Sequence, residues 1–321
     1  DYSGGATCPS LLLEPSRTNT IVASEYIAAG VTWSAVNMLT ESNAETSPEG
    51  VQNATKIIRN AVSGNSAWLA FFNQGSVGNN VVYSAFAKAG TNSQLCITYY
   101  DSFTTDMFFN FDLVNGQIAS VPTGSAYYVD AGIEDYGNGW YRCYAVVDSQ
   151  QSTAQYQLSA GGNRGGQINE YIYVYGAMSE IGSYPTSYIP TYGVSQTRAQ
   201  DVCNDAGDAA TFNSTEGVLY FEGSALSNDL TQRAISLSDG SNTNRVCLLY
   251  NDSSNSIRLF IQVGGSTQSS IISTSYTITD SNKIAVKWKE NDFSLWINGV
   301  EVGTDNSGVS FTSNTLNTLD F

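Results

Sequence analysis

The feature that most restricts this chain is a two-residue alternation of apolar and polar side chains, broken by turn residues and hardly ever by a helical period. In Lys283-Ile-Ala-Val-Lys-Trp-Lys289 the alternation sets Ile284, Val286 and Trp288 on one face and Ala285, Lys287 and Lys289 on the other. The following run, Phe293-Ser-Leu-Trp-Ile-Asn298, turns Phe293, Leu295 and Ile297 inward, and Asn298-Gly299 predicts a tight hairpin into a third strand, Val300 to Gly303. A one-residue slip would oppose inward residues to outward ones, so Trp288 is expected to face Phe293 across a Lys289 to Asp292 turn. Trp296 then points away from the core. Leu226 to Ala234 is at most a short turn beside Ser224.

Earlier in the chain, short β-rich runs recur between turn signals: Val81 to Ala87, Gln94 to Tyr100, Met107 to Leu113, Gly139 to Val147, Ala154 to Ser159 and Tyr171 to Ala177. Within Glu170-Tyr-Ile-Tyr-Val-Tyr-Gly176 the tyrosines share one face, while Ile172 and Val174 share the other. The expected class is all-β, with two antiparallel β-sandwich (jelly-roll) domains in tandem. A length of 321 residues suits two cores, since single cores stop growing at roughly 250 to 300 residues. The 29 glycines and a charged fraction of 13%, against a usual value of about 25%, fit Gly-rich turns and a neutral polar surface. All six prolines precede residue 191, and Pro185 and Pro190 sit in Gly182-Ser-Tyr-Pro-Thr-Ser-Tyr-Ile-Pro-Thr191, an extended boundary. The expected division is an extended arm over 1–19, a jelly roll over 20–181, an ordered connector over 182–204 and a second sandwich over 205–321. Both ends read as cuts within a longer polypeptide, with Leu319-Asp320-Phe321 stopping in mid-strand.

Charge and residue types exclude most chemistry. With 29 acidic and 13 basic residues the net charge is −16, which repels phosphate backbones and anionic membranes, so neither nucleic acid nor membrane is an expected partner. No apolar run approaches the ~20 residues of a membrane span, and Asp1 to Pro9 lacks the pattern of a signal peptide. Cys8, Cys96, Cys143, Cys203 and Cys247 are scattered without a CxxC pair and read as buried or incidental thiols. Histidine is absent, which removes Ser-His-Asp triads, Cys-His pairs and HExxH zinc sites. Carboxylate-only glycosidase chemistry finds no alternating acids: Glu290 and Asp292 fall in the predicted turn, and the adjacent Glu134 and Asp135 point opposite ways. A Tyr83, Lys88 and Arg59 cluster for lyase chemistry has no support from spacing, and no phosphate-cradling glycine motif occurs. No enzyme activity and no cofactor are expected. A structural calcium ion on Asp201, Asn204, Asp205 and Asp208, or on Asp239, Asn242 and Asn244, competes with the ordinary use of Asp and Asn in turns.

From roughly Glu216 to Phe321 the chain resembles the laminin G / concanavalin A-like lectin superfamily, through Glu216-Gly-Val-Leu-Tyr-Phe-Glu-Gly223, Arg233-Ala-Ile-Ser-Leu-Ser-Asp-Gly240 and Lys283 to Val302. The closing strand of that family, which returns beside the first, has no apparent counterpart before Phe321. The first half resembles the carbohydrate-binding-module-like jelly rolls of bacteriophage virion proteins. The carrying residues are Leu11-Leu-Leu-Glu-Pro-Ser-Arg-Thr-Asn19, Ser47-Pro-Glu-Gly50, Asp130-Ala-Gly with Gly137-Asn-Gly-Trp-Tyr-Arg142, and Tyr184-Pro-Thr-Ser-Tyr-Ile-Pro190. The resemblance implies a non-catalytic tail or head fibre or decoration protein on the virion surface, outside a cell. Its partners would be host-surface glycans, other virion proteins and further copies of itself. The rival reading is an accessory carbohydrate-binding region of a secreted polysaccharide-degrading enzyme, and a third is a structural protein without a ligand.

Sugar recognition uses an aromatic face under the C–H side of the ring, flanked by side chains that satisfy hydroxyls. The candidates are the row Tyr171, Tyr173 and Tyr175, the strand end Tyr99, Tyr100 and Asp101, and outward Trp296. Each is weighed against plain packing, the row in particular against the connector or a neighbouring subunit. Trp140, just after a tight glycine turn, is read as core.

Overall fold

The computed structural model describes residues 11–62, 64–101 and 106–321, and the chain divides into two compact units, Asp1–Gln200 and Asp201–Phe321. Cys8 and the first residues of the expected arm lie outside the described residues.

The first unit contains β1 (Arg17–Asn19), β2 (Ser34–Val36), β3 (Met38–Glu45), β4 (Ala54–Arg59), β5 (Trp68–Phe71), β6 (Asn79–Ala89) and β7 (Gln94–Tyr100). It continues with β8 (Met107–Asp112), β9 (Gln117–Ser120), β10 (Tyr128–Gly137), β11 (Trp140–Ser149), β12 (Gln155–Ala160), β13 (Tyr171–Ile181) and β14 (Gln196–Arg198). Two six-stranded sheets result, in the orders β10-β11-β6-β13-β4-β3 and β2-β5-β12-β7-β8-β9, with every ladder antiparallel. Trp33, Ile57, Leu69, Tyr83, Ile97, Phe109, Phe111, Tyr156, Ile172 and Val174 are buried together in the core. Each such side chain contributes about 1.5–3 kcal/mol relative to exposure.

All six predicted runs are strands. The strands that escaped the sequence, β2 to β5, β9 and β10, are edge or next-to-edge elements. β9 is exposed throughout and β10 largely so, which erases the alternation that would betray them.

The alternation in β13 is interrupted once. Ile172 and Val174 face the core, a register shift falls between Tyr175 and Met178, and beyond it Ala177 faces the core instead. Gly176 sits at the shift with φ +59, and a Cβ there would meet the Phe86 ring at 3.0 Å and the Tyr188 ring at 3.1 Å. The bulge swaps the outward set from odd to even positions, so Tyr175 and Glu180 share one face.

That face is covered by the chain itself. Tyr175, Phe86, Trp140 and Ala54 form a second buried cluster, joined by Tyr173 and by Tyr188 from the segment expected to be a connector. Trp140 is core as expected, and its Nε1 donates to the Thr46 carbonyl at 2.9 Å. The expected arm and connector are not separate pieces: β1 pairs antiparallel with β14, Arg17 opposite Arg198. Asn19 is fully buried and saturated, its amide donating to the Ala177 and Ile189 carbonyls and its oxygen accepting from Ile21 N and Ser179 N. Glu14 accepts from Ser187 N at 2.7 Å and pairs with Arg198 at 2.5 Å. Glu180 accepts both the backbone N–H and the hydroxyl of Thr186, with Arg17 3.7 Å away. Two motifs that stand far apart in the sequence, Leu11 to Asn19 and Tyr184 to Pro190, are thus the two halves of one clasp over the outer sheet.

The second unit contains β15 (Glu216–Gly223), β16 (Arg233–Ser238), β17 (Arg245–Tyr250), β18 (Ile257–Val263), β19 (Ser266–Ser273), β20 (Asn282–Lys289), β21 (Phe293–Ile297), β22 (Val300–Asp305) and β23 (Thr318–Asp320). They form antiparallel sheets in the orders β15-β20-β21-β22 and β19-β18-β17-β16-β23. Ile284, Val286, Trp288, Phe293, Leu295 and Ile297 pack against Val246, Leu248, Ile257, Leu259 and Ile261. The expected register holds: Val286 opposes Leu295, the turn closes by Asp292 N donating to Lys289 O, and Asn298 (φ 52) and Gly299 (φ 82) make the hairpin. Gly217 opposes Trp288, and a Cβ there would lie 2.3 Å from the indole. Among the described residues no closing strand returns beside β15, but the chain does end on a short strand in the other sheet, β23. It pairs with β16 on one side, and Leu319 and Phe321 pair with Ala206 and Cys203 on the other. At three residues it is too short to show an alternation.

Candidate ligand-binding surface

The seven residues singled out from the sequence have three different fates. Tyr99 points into the first core, where it stacks with Tyr83 at 6.2 Å and donates its hydroxyl to the buried Asp101 carboxylate at 2.7 Å. Burial first, and the Asp101 hydrogen bond second, raise the Tyr99 phenol above its usual pKa. Tyr99 and Asp101 are internal, and only Tyr100, half-buried at the end of β7, borders the surface. This strand end is therefore no aromatic platform, because the inward phase of β7 includes Tyr99.

The row Tyr171, Tyr173 and Tyr175 does face outward from its sheet, and it is covered there. Tyr175 is buried against Tyr188, with ring centroids 5.8 Å apart, and burial pushes its phenol far up, followed by the neighbouring Glu49 carboxylate. Tyr173 lies edge-on to Tyr171 at 5.5 Å, and Lys56 caps the Tyr171 ring at 4.4 Å while paired to Glu41. Packing against Tyr188 of the connector segment accounts for Tyr175, and Lys56 and the neighbouring tyrosine for Tyr171.

Trp296 remains. Its β21 neighbours Leu295 and Ile297 are buried, whereas Trp296 is 39% exposed, as the alternation requires. The β-ladders place it in a row across the open sheet face: Tyr220 opposes Ala285, Ala285 opposes Trp296, and Trp296 opposes Glu301. Tyr220 is 58% exposed. Two strand spacings of roughly 4.8 Å set the two aromatic backbones about 10 Å apart, with only the Ala285 methyl between them.

Both rings are tethered along their own strands. The Trp296 Nε1 donates to Ser294 Oγ at 3.0 Å, and the Tyr220 hydroxyl donates to Glu222 Oε2 at 3.1 Å. Partial desolvation, then Glu222, raises the Tyr220 phenol. Around the row stand Val218 and paired charges, Lys289 with Glu216 at 2.9 Å and Lys287 with Asp292 at 2.5 Å. The result is an apolar shelf ringed by fixed donors and acceptors, suited to a ligand that presents C–H faces and hydroxyls together. Tyr220 was missed in the sequence, although the same alternation shows it: Leu219 and Phe221 pack against the core, so Tyr220 must face out.

The groups considered for turnover do not converge. Tyr83 is in the core, Lys88 on the opposite face of β6 pairs with Glu45, and Arg59 is buried with its guanidinium on the Arg164 and Asn65 carbonyls. Asp292 is tied to Lys287, and Asp135 accepts from Gly137 N. Of the residues considered for calcium, Asp208 accepts from Ala210 N and Thr211, and Asp239 from Ser241 and Asn244, so these two carboxylates serve their own turns. Among the described residues no cluster of three metal-ligating side chains occurs, and no helix is long and apolar enough to cross a membrane. Cys96, Cys143, Cys203 and Cys247 are free thiols.

No family model matches the sequence, and no curated protein matches it either. Among solved structures, the chain is similar to the mouse laminin alpha1 chain, domains LG4-5, at 10% identity and a TM-score of 0.27, over 81% of this chain and 80% of that one. A likeness this distant assigns neither family nor ligand.

Proposed function

We propose that the protein is a non-catalytic glycan-binding protein that works outside a cell, as an adhesion or decoration component on a virion surface. The observation that carries the binding role is the row Tyr220, Ala285, Trp296: two exposed rings, fixed by hydrogen bonds along their strands, on a sheet face that no other segment of its unit covers. A saccharide lying across Ala285 would set one sugar face on each ring. Its hydroxyls would meet Glu222 and Glu301, exposed carboxylates that offer acceptors. A histidine-free chain whose candidate acids serve turns and ion pairs supports binding without turnover. The virion setting rests on the sequence resemblance, with the acidic, sparsely charged composition in keeping.

A glycan array probed with the whole protein tests the reading, followed by calorimetry on the best ligand. Trp296→Ala is expected to weaken binding at least tenfold, the loss of about 1.4 kcal/mol of contact. Tyr220→Ala is expected to weaken it severalfold, and Tyr173→Ala not at all. Silence across the array, or an unaffected Trp296→Ala, would remove the proposal. Sugar products accumulating from any polymer would replace it with an enzyme.

A further inference from the structure

A second concavity lies in the first unit, where the chain entering the jelly roll is laced to the segment leaving it. Thr191 N donates to Ser24 Oγ at 2.9 Å, Ser24 N to Thr191 Oγ1 at 3.0 Å, and Gly193 N to Val22 O at 2.7 Å. These bonds hold Glu25 and Tyr26 beside Tyr192. Together with Thr32, Asn43 and Asn53 they line a cleft of about 430 Å³. Tyr26 and Tyr192 are 52% and 73% exposed, so two large rings stand at the surface.

The charge of the cleft is one-sided. No lysine or arginine lines it, and Tyr192 donates its hydroxyl to Glu25 at 3.1 Å. Burial first, and then Glu25 and the nearby Glu49, push the Tyr192 phenol upward; burial also raises that of Tyr188, against the Ser24 hydrogen bond and with smaller help from the same carboxylates. Among the described residues neither glutamate is in an ion pair. A carboxylate flanked by exposed aromatic faces attracts a cation twice over, by its own charge and by the ring quadrupoles.

We propose that this cleft binds a protonated amino sugar, the ammonium on Glu25 and the ring against Tyr26 and Tyr192. A quaternary ammonium would bring no N–H to the carboxylate. A lysine side chain would leave most of the volume empty and the amide rim of Asn43 and Asn53 unused. A hydroxylated ring uses that rim, because the two amides offer both donors and acceptors, while the Thr32 hydroxyl is held by Tyr26 O and Ala28 N. An anionic sugar is repelled. The site lies in a different unit from the Trp296 shelf and stands or falls separately.

The test is calorimetric titration of the whole protein, at physiological salt, with a fully deacetylated glucosamine tetramer, its N-acetylated counterpart, tetralysine and choline. The deacetylated tetramer is expected to bind at least tenfold tighter than the other three. Glu25→Gln and Tyr192→Ala should each weaken it about tenfold with an unchanged melting temperature, and Trp296→Ala should leave it unchanged. Because a chain of net charge −16 attracts any polycation, Glu134→Gln serves as the matched control and should have no effect. Equal losses in Glu134→Gln and Glu25→Gln would reduce the effect to bulk charge and overturn the site. So would acetylated and deacetylated tetramers binding alike, tetralysine binding tighter, or no binding of the tetramer. Should Glu25→Gln melt early, Tyr192→Ala decides, since so exposed a ring supports little of the fold.

Discussion

Each unit presents an outward row of aromatic side chains on an antiparallel sheet, and the two rows have opposite fates. In the first unit Tyr173 and Tyr175 are roofed by Tyr188 and the clasp that Asn19, Glu14 and Glu180 hold shut. In the second, Tyr220 and Trp296 stand at the surface with a bare alanine between them. The same alternating pattern therefore yields a packing layer in one unit and an exposed shelf in the other. What separates them is a return segment, which the first unit has and the second does not lay over that face.

If this contrast is right, the rows should respond to truncation in opposite currencies. Tyr175→Ala removes a buried ring from the roofed cluster and is expected to destabilise the first unit by about 4 kcal/mol in chemical denaturation. Next comes Asn19→Ala, which leaves two carbonyls and two N–H groups of a buried seam unpaired, at about 3 kcal/mol in the same measurement. Limited proteolysis should then cut within residues 182–200, which intact protein protects. Trp296→Ala, by contrast, should move the stability of the second unit by no more than about 0.5 kcal/mol, so that its whole effect falls on ligand binding. A Trp296→Ala protein as crippled in folding as Tyr175→Ala would erase the distinction between the rows.

The smallest expected effect sharpens the clasp. Burial raises the pKa of Glu180 above its usual 4.5, against the opposing pull of Thr186, Arg142 and Arg17. A carboxyl whose folded pKa is raised holds its proton more tightly when folded. Its contribution is complete below 4.5 and fades as pH rises through the raised value. Relative to Glu180→Gln, the native protein should thus gain stability on acidification through that window, readable as a pH-dependent difference between their melting curves. A difference growing in the other direction would mean that Arg17 and Thr186 outweigh desolvation.

Much of this was legible beforehand. The Lys289 to Asp292 turn, the Asn298-Gly299 hairpin and the outward Trp296 follow from the alternation of β20 and β21 alone, since extended backbone throws successive side chains to opposite faces. The aliphatic face of β13 was equally plain, up to the bulge at Gly176, where one extra residue swaps the faces without any change in residue types. Tyr99 and Asp101 were misread because a tyrosine inside a core and one on a surface look alike when both end in a satisfied hydroxyl. The edge strands β9 and β10 and the three-residue β23 were invisible, because exposure or brevity leaves no period to read.

By itself, then, the chain's sequence determined the class of fold, the pairing of its best strands and the direction in which the aromatics of β20 and β21 point. Those are consequences of neighbouring residues sharing one backbone geometry. Only the tertiary structure decided which aromatics are left free, because that depends on contacts such as Asn19 with Ile189, 170 residues apart, or Tyr175 with Tyr188. Closing so long a loop is settled by the total free energy of the packed unit, and no local pattern records it.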